Sequence, residues 1–147
     1  MIIADTNVVS ELMRPAPAPS VLRWITGVDA DQLGITTVTV AEIEYGLARL
    51  PEGRRQRDLA AKWRQILETY EKMIIGYGVG AAHATADVLI ERDRLGRPIS
   101  LADAQIAGIC RWHGCVLATR NTKDFDGIGL QLTNPFEVLP TALGDEA

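Results

Sequence analysis

Asp5, Glu42 and Asp103 each stand where an apolar run gives way to polar residues. Asp5 follows the buried-looking start "MIIA" and leads into "TNVVSEL". A carboxylate in that position has to be solvated, capped, paired or bound to a cation. Glu42 lies early in "TTVTVAEIEYGL", among the apolar Val38, Ile43 and Leu47, whereas Glu44 points elsewhere as a surface acid. Asp103 precedes Ile106, Ala107 and Cys110 by three, four and seven positions, so on a helix it heads the buried stripe. Taken singly, each acid has an ordinary explanation: Asp5 as a helix N-cap, Glu42 as a first-turn or capping-box acid, Asp103 as the partner of Ser100. Taken together they follow separate strand-to-helix transitions and converge on the sheet edge where open α/β folds bind ligands. Gathered carboxylates raise one another's pKa, and a divalent cation relieves that repulsion. Magnesium accepts a few carboxylates together with waters and substrate phosphates, a combination suited to phosphodiester hydrolysis.

The elements that must position these acids are short strands alternating with helices. Met1–Ala4, Leu33–Thr36, "CVLAT" and "GLQLTN" read as strands. Thr6–Met13 reads as a helix ending before the stiff loop "RPAPAPS", and Ser20 as the cap of a helix through Val28. A helix through Leu50 follows, capped by Thr36 or Thr39 and ended by Pro51 and Gly53. "GRRQRDLAAKWRQILETYEKMI" is a charged amphipathic helix with Leu59, Trp63, Ile66, Leu67 and Tyr70 on one face. Helices over Val79–Leu95 and Leu101–His113 stop at Gly96 and Gly114. The pattern predicts one α/β layer domain over 1–140, with a mostly parallel sheet and a frayed tail over 141–147.

The 147 residues are 47% hydrophobic and 23% charged, the balance of an ordinary folded domain rather than a disordered chain. A net charge of −4 argues against a general nucleic-acid coat but leaves room for a nucleic-acid enzyme whose acids are neutralised by metal. Two cysteines, Cys110 and Cys115, and two histidines, His83 and His113, match no zinc motif, so a bound metal would be a hard cation held by oxygen. Low cysteine usage and the lack of a signal peptide or long apolar span give a cytoplasmic expectation with free thiols and no membrane.

"DTNVVSEL", "TTVTVAEIEYGL", "GRPISLADAQIAGICRWHG" and "VLATRNTKDF", with "NPF" near the end, resemble the PIN-domain ribonucleases, and among them the VapC-type toxins of bacterial toxin–antitoxin pairs in the FitB-like branch. The resemblance spans nearly the whole chain in order. It implies an α/β/α sandwich around a parallel sheet and RNA cleavage supported by Mg²⁺ or Mn²⁺ held by Asp5, Glu42 and Asp103. It also implies that Thr6, Asn7 and Thr119 orient Asp5 or a water. A homodimer or toxin–antitoxin hetero-oligomer with a VapB-like antitoxin is implied too, promoter DNA being reached only through the antitoxin. Many family members carry a fourth acid where this chain has Asn121, which adds no charge. That departure implies one tightly held Mg²⁺ and a second arriving with substrate, with Asp124 acting through a water or only capping the turn.

Arg14 and Arg120 are candidate RNA-phosphate contacts, and "RRQR" (54–57) a further basic stretch that could equally be a solvated helix start. Trp24, Tyr45, Trp63 and Tyr70 read as core or interface anchors, His83 as a packed residue and His113 as a helix-end contact. Two other classes fit worse. An aspartyl phosphatase of the haloacid-dehalogenase type needs an acid where Asn7 stands, and a receiver-like Mg²⁺-binding regulator needs paired acids after the first strand. The alternative function is a catalytically weak PIN fold, or Mg²⁺-binding regulatory module, acting through its antitoxin or DNA.

Overall fold

Apolar runs too short for helices pair side by side here because each is flanked by an amphipathic helix that covers it. The computed structural model describes residues 1–137. Its strands are β1 (Ile2–Ala4), β2 (Leu33–Thr36), β3 (Ile74–Ile75), β4 (Val116–Ala118) and β5 (Leu132–Thr133). Its helices are α1 (Thr6–Leu12), α2 (Pro19–Thr26), α3 (Thr37–Ala48), α4 (Arg54–Thr69), α5 (Val79–Arg94) and α6 (Leu101–His113). The sheet order is β3-β2-β1-β4-β5, and every pairing is parallel. From β1 the chain builds outward through β2 and β3, then returns to the other side of β1 for β4 and β5. That reversal opens a crevice beyond the carboxyl ends of β1 and β4.

Successive strand residues face opposite layers. Ile3 and Leu117 pack with Val88 of α5 and with Ile106, Ala107 and Cys110 of α6. Ala4, Leu33 and Ile35 pack instead with Val8 and Val9 of α1, Ile43 of α3, and Trp63 and Ile66 of α4. The result is the expected α/β/α sandwich, with a sheet that is wholly parallel among the described residues. No helix of the described residues is long and apolar enough to cross a membrane.

Helix α6 is set tightly against α5 at Gly108. A Cβ there would lie 2.2 Å from Thr85 Oγ1, 2.7 Å from the Ala81 carbonyl oxygen and 2.9 Å from the Thr85 nitrogen. Ser100 starts α6 by accepting from the Asp103 N–H at 3.2 Å, and Gly114 ends it at φ 69°. Arg92, buried on α5, then fixes the loop after β4. Its Nη1 donates to the Asp126 carbonyl at 2.7 Å and its Nε to the Arg97 carbonyl at 2.7 Å.

Several sequence expectations are corrected. Ser20 is not a cap: α2 starts at Pro19, with Ala18 in the N-cap position, and the Ser20 hydroxyl donates to the Phe136 carbonyl at 3.2 Å. Proline at the first helical position supplies the turn geometry that a capping side chain would otherwise secure. The α4 helix ends at Thr69 and does not continue to Ile74. Ile74 and Ile75 form β3 instead, in register with Ile35 and Thr36, because pairing at a sheet edge outweighs continued helical periodicity. Of the residues read as core or interface anchors, Trp63 is buried in the core, whereas Tyr45 is 65% exposed with the Arg49 guanidinium over its ring, which leaves only the interface half of its reading. His83 is exposed, not packed. Cys110 and Cys115 are free, as expected. The expected domain limit at 140 and the tail 141–147 lie outside the described residues.

Candidate metal-dependent active site

Asp5 ends β1 and enters α1 with an extended backbone (φ −65°, ψ 159°), so its carboxyl turns back into the crevice. Its Oδ1 accepts from the Thr6 N–H at 2.8 Å. Its Oδ2 accepts from the Thr119 hydroxyl at 2.7 Å and from Asn7 Nδ2 at 3.2 Å. Asp5 is thus both the helix cap and the centre of the site. A carboxylate offers about four lone-pair directions, and these donors leave one free. Thr119 supplies its hydroxyl from the end of β4, and the same oxygen accepts from the Asn121 N–H at 3.0 Å.

Glu42 comes from α3, which starts when Thr36 at the end of β2 accepts from the Thr39 N–H at 3.1 Å. Thr36, not Thr39, is the cap. The Glu42 carboxylate does not fold back onto the helix start as a capping box requires. It accepts the Thr6 hydroxyl at 2.8 Å, and that hydroxyl lies 3.0 Å from Thr39 Oγ1. Asp103 heads α6 half-buried, close enough to Glu42 and Asp124 for their charges to raise its pKa. The crevice therefore brings Asp5, Thr6, Asn7, Glu42, Asp103 and Thr119 together, with Asp124 near Asp103 on the exposed rim. Asn121 contributes its backbone to this group and carries its amide on the outside.

The donors are all oxygen, the set that suits a hard divalent cation. Among the described residues, no group of three or more acids, histidines or cysteines is placed to hold a metal ion as the side chains lie, so the donor chemistry rather than a preformed ligand cluster is what fits a cation. Asp5 is 3% exposed and has no cationic partner among the described residues. Burial pushes its pKa up to about 6, opposed by the Thr119 and Thr6 hydrogen bonds and helped by the charges of Asp103 and Glu42. Burial first, then neighbouring acids, also raises Asp103. Carboxylates held this way fit a cation that restores what desolvation removes.

The sign of the linkage is fixed by those directions. A carboxylate whose folded pKa exceeds its unfolded one holds protons in the native state that the unfolded state has lost. Between the ordinary aspartate value of 3.8 and about 6, Asp5 therefore withdraws stability as pH rises, about 3 kcal/mol in all at 1.36 kcal/mol per unit. About 1 kcal/mol of that loss falls between pH 5.5 and pH 7.5, so the metal-free protein should melt about 2–4 °C lower at pH 7.5, and Mg²⁺ should close that gap. Equal melting temperatures across this range, followed in chelator by circular dichroism, would contradict the assignment.

Sequence reasoning missed Glu11, although it lies four residues after Asn7 and so on the same helical face. It is 6% exposed and accepts from the Ala18 N–H at 2.9 Å and from Arg14 Nη1 at 3.2 Å. Those donors hold its pKa below the usual glutamate value, the backbone N–H most of all. Arg120, next to the site, stacks on the Phe136 ring at 3.8 Å. Thr39 was expected only as a possible cap and is a buried part of the hydroxyl chain to Glu42. Phe136 entered only as the last residue of the "NPF" motif, with no role assigned to it.

A parallel sheet reversing at β1, with acids at its carboxyl edge, defines a PIN-like α/β/α fold, and the comparisons agree. The model of the PIN domain matches residues 2–129, and the chain belongs to that family. It is 34% identical over 138 residues to the VapC ribonuclease Y4jK of Sinorhizobium fredii, covering 93% of this chain and 99% of that protein. It is 31% identical over 137 residues to the toxin FitB of Neisseria gonorrhoeae, covering 92% and 99%. A solved structure of FitAB bound to an IR36 DNA fragment superposes with a TM-score of 0.87 at 29% identity, covering 95% of this chain and 98% of that one.

Proposed function

We propose that this chain is a metal-dependent endoribonuclease serving as the toxin of a toxin–antitoxin pair. The observation that carries the reading is the convergence of Asp5, Glu42 and Asp103 on the crevice beside β1, with Asp5 buried and lacking a cationic partner among the described residues. Asp5, Glu42 and Asp103 would hold Mg²⁺ or Mn²⁺. Bound there, the ion supplies an acidified water and charge stabilisation on the phosphate oxygens. Thr119, Asn7 and the Thr6 N–H fix the Asp5 carboxyl so that its free lone pair faces the crevice. Thr6 keeps Glu42 turned toward the same point. Asp124 and Asn121 stand at the exposed rim, where they would position water rather than complete a second tight metal site. Similarity to FitB and to the DNA-bound FitAB complex supports a VapB-like antitoxin as partner and promoter DNA reached through it. In this reading the protein works in the cytoplasm as a homodimer or as a toxin–antitoxin hetero-oligomer.

The test is a matched pair of cleavage assays. Antitoxin-free protein and its Asp103→Asn variant are incubated with total cellular RNA, in Mg²⁺ or Mn²⁺ and in chelator. Discrete fragments from the wild type alone, abolished by chelator, establish a selective metal-dependent ribonuclease. Intact RNA under both metals refutes the enzymatic reading and favours a fold that acts by binding alone.

A further inference from the structure

One polar cluster outside the metal acids is too well built for a surface accident. Glu11 projects from the last turn of α1 into the fold, where its carboxylate accepts from two donors and faces a second guanidinium. Its Oε1 accepts from the Ala18 N–H at 2.9 Å, which closes the proline loop. Arg14 Nη1 reaches Oε2 at 3.2 Å and Oε1 at 3.4 Å. Arg120 Nη2 stands 4.0 Å from Oε2. Arg120 is further pinned by the Phe136 ring beneath its guanidinium at 3.8 Å and by its own N–H, which donates to Asn7 Oδ1 at 3.2 Å. Asn7 in turn donates to Asp5, so a single residue separates this arginine from the metal acids.

The charge balance is uneven. One carboxylate faces two guanidinium groups, and the arginine side chains are 62% and 52% exposed while Glu11 is buried. Arg14 meets Glu11 only through Nη1, and Arg120 only through Nη2. Among the described residues, the Nε and second terminal nitrogen of each arginine have no hydrogen-bond partner. Both arginines border a groove of about 460 Å³ beside the site, with Asn7, Glu11, Ile43 and Arg55 also on its wall. Planar forks with unused donors, held in place and facing an open groove, suit a tetrahedral oxyanion.

We propose that Arg14 and Arg120 form a phosphate subsite for the RNA strand next to the scissile bond, and that Glu11 is the positioning residue that sets both guanidinium groups. Arginine alone on a long exposed side chain loses much rotamer entropy when it binds; a buried carboxylate that pre-orders two of them removes part of that loss. The same carboxylate limits net attraction, so the subsite selects a strand whose phosphate fits the fork rather than any polyanion.

This inference rests on the ribonuclease reading, and the test separates the two. Binding of a short, labelled single-stranded RNA of mixed sequence is followed by anisotropy in chelator, so that no cleavage occurs, over a salt series. Arg14→Ala and Arg120→Ala should each weaken binding about threefold to tenfold and lower the salt slope by about 0.7. Glu11→Gln keeps an acceptor for the Ala18 N–H, so it should melt near the wild type. It should weaken binding about threefold with the slope unchanged, and have no effect once both arginines are alanine. The same loss in the double-alanine background, or tight binding by Glu11→Gln in the wild-type background, overturns the positioning role. Unchanged affinity and slope in both arginine variants overturns the subsite while leaving the nuclease intact. A wild type that binds an acidic peptide but no RNA removes the ribonuclease reading itself. The arginine variants alter exposed side chains, so they test the subsite even if Glu11→Gln proves unstable.

Discussion

Asp5→Asn is expected to abolish RNA cleavage and at the same time to raise the melting temperature of the metal-free protein. If the proposed cation site is right, loss of this carboxylate removes several kcal/mol of transition-state stabilisation. At about 1.4 kcal/mol per tenfold, the rate should fall by roughly 10³ or more. Stability moves the other way. Asp5 is 3% exposed and its carboxyl is strained by burial toward the neutral form. An asparagine has no charge to desolvate. It does lose an acceptor for Thr119 and Asn7, so the net gain should be about 1 kcal/mol, or roughly 2–4 °C. Mg²⁺ should stabilise the wild type and leave the variant unmoved. Cleavage at the normal rate, or an unaltered Mg²⁺ shift, would refute the role given to Asp5. Substitutions that merely disturb packing lose activity and stability together, so the opposed signs identify a charged site.

The second large effect changes no acid. Gly108→Ala should destabilise by about 2–3 kcal/mol, lowering the melting temperature by roughly 5–10 °C. A methyl group at this position meets backbone as well as side chain: the Ala81 carbonyl at 2.7 Å and the Thr85 nitrogen at 2.9 Å cannot turn away. The helices α5 and α6 must separate, and the gain of about 1 kcal/mol in helix propensity does not offset it. Removing the Thr85 hydroxyl in the same protein should restore only part of the loss, because the backbone clash remains. Gly46→Ala is the control. Nothing lies within 4 Å of its missing Cβ, and helix α3 should gain about 0.5–1 kcal/mol. Thermal melts of the two variants should therefore move in opposite directions; a neutral Gly108→Ala would show that the helix pair yields easily.

The two predictions meet at Asp103. Its carboxyl reaches the crevice because Ser100 starts α6 at the right residue and Gly108 lets that helix lie close against α5. A modest separation of the pair should therefore also reduce cleavage, without touching a ligand.

Much of this protein was legible in its residues. The two-residue and 3.6-residue periods marked short strands between helices, and turn residues such as Gly96 and Gly114 ended helices where expected, because these effects are local in the chain. The acids at strand ends could be placed on one sheet edge by topology rules alone, since parallel strands joined by helices all finish on the same side. What the sequence could not decide were contacts made across large separations. Ile74 and Ile75 form a strand only because β2 offers them an unpaired edge; their local pattern continues a helix. Glu42 reads as a capping acid until the Thr6 hydroxyl, 36 positions away in the chain, claims it. Gly108 has no local signal, and only the neighbouring helix shows that no Cβ fits there. Glu11 carries no local signal of its role, and only the proline loop folding over it to present the Ala18 N–H supplies one. Composition and periodicity specify which surfaces are apolar and which residues cap or turn, and those preferences are set within a few residues. The partner of a polar group, and the room left for a side chain, are properties of the packed interior, where desolvation makes each unpaired donor or misplaced atom costly enough to select one arrangement.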